Sequence, residues 1–197
     1  MTRPTNTGLL LACFLIVPAL PAVAAGPFGV SPGDDPAKFP ACQESNDGWI
    51  CDSLPEGHEA IQEYRLFAAP GPGVCEVVAS GRITGDPGGA KTRKLVDRLA
   101  QQTRIKYCNR FRKFDTLYVG ADLEDPHEWL MAVKADQRTY SYWWTPSTGF
   151  SPRDGASVIK IEAVGESDSV GAVKLIFQLD NHEVCHESML AQETAAY

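Results

Sequence analysis

Two regions of the chain read as strands folded back on themselves. Tyr64–Ala69 and Val74–Ile83 flank the turn Pro70-Gly71-Pro72-Gly73. Ser157–Ala163 and Val170–Leu179 alternate apolar and polar residues around Glu166-Ser167-Asp168-Ser169. Side chains on a strand point alternately to its two faces, so each pair predicts an antiparallel hairpin with one buried face. Between the hairpins the period changes. From Lys91 to Tyr107, Leu95, Val96 and Leu99 recur at helical spacing among Lys, Arg and Gln, which predicts a helix. A second helix starts at Asp125, with Pro126 suited to the first helical position, Glu128 placed to complete a capping box, and an apolar stripe of Trp129, Leu130 and Val133. Tyr140–Trp144 is a strand by its aromatic content, and a third helix follows Asn181. The order predicts a single α+β domain over 26–197, with an antiparallel sheet built from two hairpins and helices packed on one face. Residues 26–40, rich in Gly, Pro and Asp, form an extended lead-in.

The first 25 residues change the setting rather than the fold. Arg3, the apolar stretch Leu9–Val17 and Ala22-Val23-Ala24-Ala25 have the basic start, apolar centre and small-residue cleavage site of a secretory signal peptide. That apolar stretch is too short for a permanent membrane span. Leu10-Leu11-Ala12-Cys13 resembles a lipoprotein box, but most of the apolar run follows Cys13 instead of preceding it. The chain is therefore expected to be exported, periplasmic or extracellular, with no transmembrane segment in the mature part. Removing Arg3 takes the formal net charge from −7 to −8. So acidic a chain argues against a nucleic-acid partner.

Export makes the cysteines candidates for disulfides. Cys42, Cys51, Cys75, Cys108 and Cys185 remain after cleavage, an odd number. Cys42 and Cys51 flank a polar turn containing Asn46-Asp47-Gly48, and closing that ~10-residue loop contributes roughly 2.5–3 kcal/mol in the chain-entropy model. Cys75 with Cys185 would tie the two halves of the chain together, leaving Cys108 over. Cys75 with Cys108 is the alternative.

Four segments carry candidate chemistry. His182-Glu183-Val184-Cys185-His186 matches the zinc-protease spacing, which on a helix puts two His one turn apart with Glu183 as base. A third ligand is missing: Gln192 stands ten residues after His182, Glu193 is close to the end, and an oxidised Cys185 would make this turn an anchor. A metal-dependent hydrolase on His182, Glu183 and His186 is thus the lesser reading. Gly85-Asp86-Pro87-Gly88-Gly89-Ala90-Lys91-Thr92 has P-loop context, but Ala90 replaces the glycine that lets phosphate approach the backbone. No cofactor is expected. Arg82–Lys113 holds ten basic residues against Asp86 and Asp97. This asymmetry suggests a surface made of Lys91, Arg93, Lys94, Arg98 and Arg104 for an anionic macromolecule or an envelope protein. Tyr140, Tyr142 and Trp144 share one strand face, expected to be core; exposed, they would suit sugar or protein binding.

The segments Phe28-Gly29, Leu54-Pro55, Tyr64, Gly73-Val74-Cys75-Glu76-Val77, Lys106-Tyr107, Glu124-Asp125-Pro126 with Glu128-Trp129, Trp144, Leu175-Ile176-Phe177, Asn181 and Cys185 span most of the chain. Together they resemble a group of uncharacterised exported bacterial proteins, which start on a Phe-Gly element and carry a Gly-x-Cys strand. Similar proteins usually have Gly after the Lys-Tyr pair, where this chain has Cys108, as suits an odd thiol. The resemblance implies export and one α+β domain, and it implies no activity. The expected function is a non-enzymatic binding or regulatory module of the cell envelope.

Overall fold

Four antiparallel strand pairs join edge to edge into one sheet. The computed structural model describes residues 26–46 and 48–195; the signal-peptide reading falls on residues outside this set. The strands are β1 (Cys42–Ser45), β2 (Gly48–Cys51), β3 (Glu63–Ala69), β4 (Gly73–Ile83), β5 (Arg112–Leu117), β6 (Arg138–Trp144), β7 (Ala156–Gly165) and β8 (Gly171–Leu179). The helices are α1 (Ala90–Lys106), α2 (Trp129–Lys134) and α3 (His182–Ala195). The strand order is β1-β2-β3-β4-β8-β7-β6-β5. The chain thus builds a meander β1–β4, crosses on α1 to the far edge, and returns through β5–β8 until β8 pairs with β4. The class is α+β with an antiparallel sheet. Both expected hairpins are antiparallel pairs within it, and β1–β2 and β5–β6 extend it beyond those two.

The register sorts the side chains. Val77 faces Phe177 across the ladder and Ala79 faces Leu175, and these join Val96, Leu99 and Ala100 of α1 in one buried cluster. Glu76, Val78, Lys174 and Ile176 alternate with them and so point to the opposite face. α1 lies over β7 and β8, and α2 over β6 and β7. α2 seats closely because β7 ends on Gly165: a Cβ there would fall 2.0 Å from the Leu130 carbonyl oxygen. α3 behaves differently. It packs on β3 and β4 through a separate cluster of Ala69, Cys75, Cys185 and Met189. Its His182 Nε2 lies 3.3 Å from Glu76, on the opposite face. Helices on a single face therefore describes α1 and α2 but not α3. A cystine and a side-chain contact hold α3, so it needs no broad apolar stripe.

Cys42 is bonded to Cys51 and Cys75 to Cys185, while Cys108 is a free thiol. The alternative of Cys75 with Cys108 is not the pairing formed. Asp125 accepts from the His127 N–H, but the turn it caps winds as a 3-10 turn over Pro126–Glu128, and α2 proper begins at Trp129. Among the described residues no helix is long and apolar enough to cross a membrane.

Candidate functional site

α1 buries Thr92, Val96, Leu99, Ala100 and Thr103 and turns its other side outward. Lys91, Lys94, Arg98 and Arg104 are exposed on that side. Arg93 is half-buried: its guanidinium donates to the carbonyls of Gly88 and Gly89 and lies 5.0 Å from the centre of the Trp129 ring. It locks the start of the helix to α2 and is not presented to a partner. Lys91, Lys94 and Arg98 follow at spacings of three and four, so they form one ridge. With Ile83 at the end of β4 and Leu95 they enclose a groove of about 310 Å³. Both apolar residues are only half-buried. Lys91 Nζ donates to the Gly85 carbonyl at 2.8 Å, and Arg98 approaches Glu59 at 3.9 Å. Lys94 has no ion pair or hydrogen bond among the described residues.

The glycine-rich turn before α1 holds its own anion. The buried Asp86 carboxylate accepts from the Lys91 N–H, the Thr92 N–H and the Thr92 hydroxyl at 2.8, 2.8 and 2.7 Å. A nucleotide-binding loop would offer those first-turn donors to phosphate; here Asp86 occupies them.

A second polar cluster joins α1 to the sheet. Asp97 Oδ1 accepts from the hydroxyls of Tyr140 and Tyr142, both at 2.6 Å, and Lys113 Nζ donates to Tyr140 at 2.9 Å and lies 3.5 Å from Asp97. Burial works to raise the Asp97 carboxyl, but the two hydroxyls and Lys113 outweigh it and hold the group below its ordinary value. Burial, followed by Asp97, pushes both tyrosines up. They therefore stay protonated donors at neutral pH, which suits a strut and not a general base. Their rings are core, as is Trp144 beside them. Trp143, on the other face of β6, is covered by the Lys160 ammonium 4.9 Å from its ring.

On α3 the rings of His182 and His186 stack 6.2 Å apart. His182 is engaged with Glu76, Glu183 is exposed, and Cys185 between them is bonded to Cys75. Asn181 orders the same corner by donating to the carbonyls of Pro72 and Val74. Among the described residues no group of three or more His, Cys, Asp or Glu side chains is placed to hold a metal ion. The side chains of Gln192 and Glu193 lie outside the described set.

A smaller hollow of about 180 Å³ opens at the other end of α1, between Phe28, Leu99, Tyr107 and Phe177. Its rim is bridged by Lys106 with Glu56 and by His58 with Gln102. The hollow is an aromatic joint: Phe28 meets Tyr64 and Phe177 edge-on at 5.0 and 5.4 Å.

No family model, curated protein or solved structure matches the chain. The reading of the site therefore rests on its own geometry. Of the five cations the sequence singles out, Lys91, Lys94 and Arg98 line the groove while Arg93 and Arg104 do not; the sequence pattern places Leu95 only in the helical repeat and Ile83 only at the end of a strand. The available signal was positional: Leu95 lies four residues after Lys91 and beside Lys94, one step off the line of Val96, Leu99 and Thr103.

Proposed function

We propose that the protein is an exported, non-enzymatic binding module of the cell envelope that takes an anionic partner on the outer face of α1. One observation carries this reading: Lys91, Lys94 and Arg98 converge on one groove, and Lys94 has no counter-charge among the described residues. In a chain of net charge −7, a cationic ridge left this open attracts anions locally while the rest of the surface repels them. The two disulfides fit an oxidising, periplasmic or extracellular setting. A hydrolytic reading centred on His182, Glu183 and His186 has less support, because His182 is engaged with Glu76 and the turn is an anchor.

The test is retention on an immobilised acidic polysaccharide, heparin serving as the probe. Changing Lys91, Lys94 and Arg98 together to Glu is expected to weaken binding roughly tenfold at low salt, since each exposed pair contributes a few tenths of a kcal/mol and reversal turns attraction into repulsion. Changing Arg110, Arg112 and Lys134 to Glu alters net charge equally and is expected to weaken it far less. Equal losses in the two variants would show that net charge, not this face, governs binding.

A further inference from the structure

The groove between Lys91, Lys94 and Arg98 has a floor unsuited to a purely hydrophilic polyanion. Ile83 and Leu95 lie half-open to water between the cations, and the lining contributes little polar surface. Lysine and arginine stems add their methylene groups to such walls while holding the charged heads at the rim. A hydrophilic anion would use the rim and leave the floor wet. An alkyl chain attached to the anion would cover it and gain the transfer free energy of its first methylenes.

We infer that the groove takes a free single-chain anionic amphiphile. Its head group lies among Lys91, Lys94 and Arg98 and the first carbons of its chain lie on Ile83 and Leu95. This inference rests on the anion-binding reading of the same face and adds the chain. Three observations set the class. The rim is cationic, with Arg98 supplying a planar fork suited to carboxylate, phosphate or sulfate oxygens. Two first-turn N–H groups of α1, those of Lys91 and Thr92, already donate to Asp86, so the head group is met chiefly by side chains. The apolar floor is small, two side chains in a groove of about 310 Å³ at the low end of ligand sites, and offers cover for the first carbons of one chain.

The experiment is calorimetric titration of the full protein with decyl phosphate below its micelle concentration. Methyl phosphate, decyl maltoside and decyltrimethylammonium supply the head alone, the chain with a neutral head and the chain with the opposite charge. Decyl phosphate is expected to bind at least about tenfold more tightly than methyl phosphate, a gain that roughly two buried methylenes provide, and more tightly than the other two probes, whose equal chains lack a head group of the charge the cationic rim attracts. Leu95→Gln is expected to reduce decyl phosphate binding about tenfold while leaving heparin retention unchanged, whereas Lys94→Glu reduces both. If decyl phosphate binds no better than methyl phosphate while heparin retention still depends on the ridge, the chain is wrong and the anion-binding reading stands. If neither binds and heparin retention ignores the ridge, both fail. Binding to phosphatidylglycerol vesicles without binding to decyl phosphate would overturn the free single chain in favour of a membrane surface.

Discussion

Replacing Cys75 and Cys185 together by alanine is expected to lower stability by about 5 kcal/mol. The bond closes a loop of 110 residues, and the chain-entropy model gives nearly that amount for a loop this long. The double replacement leaves no lone thiol in the buried pair. For a protein of this size each kcal/mol shifts the melting temperature by about 2–4 °C, so a fall of roughly 10–20 °C is expected in a calorimetric scan. Replacing Cys42 and Cys51, nine residues apart, is expected to cost only about 2.7 kcal/mol by the same relation. The contrast is the check, because besides the bond α3 is held by a small cluster with Ala69 and Met189, the His182–Glu76 contact and the hydrogen bonds of Asn181 at its start. Equal losses in the two variants would mean that α3 holds its place without the cystine.

Trp129→Ala is expected to be nearly as severe, at about 3–5 kcal/mol in urea denaturation. Trp129 is 2 % exposed. Its ring packs edge-on against Tyr140 at 5.6 Å and lies under the Arg93 guanidinium. Gly89 is left-handed at φ 70° and makes room for it: a Cβ there would fall 2.2 Å from the indole. The substitution empties this joint and releases Arg93, which ties α1 to α2. Trp129→Phe is expected to cost far less than alanine. It keeps most of the apolar volume and removes an indole N–H that is buried without a partner among the described residues. A phenylalanine variant as unstable as the alanine one would show that the joint needs the full indole outline and not merely apolar volume.

Much of the fold was legible because it is local. The Pro/Gly turn at 70–73 and the alternation after Ser157 mark β3–β4 and β7–β8, and the 3.6 period after Lys91 marks α1 within a residue at each end. What escaped was long-range. β5 is an edge strand whose burial ranges only from half-buried to exposed, so Arg112–Leu117 shows no apolar alternation. The pairing of β4 with β8 joins residues about a hundred positions apart, and no turn announces it. α3 lies on the second face because a disulfide and Glu76 hold it there, not because of a hydrophobic stripe. For the candidate site, charge spacing revealed the ridge of Lys91, Lys94 and Arg98. The withdrawal of Arg93 into carbonyls and Trp129, and the groove floor of Ile83 and Leu95, depend on where β4 ends relative to α1.

The central claim is that α1, and no other surface, receives the anionic partner. Amide chemical-shift mapping by NMR, with a heparin oligosaccharide titrated into the folded protein, tests it most directly. The expected result is a continuous set of shifts over Ile83, Lys91, Lys94, Leu95 and Arg98, with β1–β3 and α3 unmoved. Shifts centred on Arg65 of β3 and Lys174 of β8, or on His182 and His186, would contradict it.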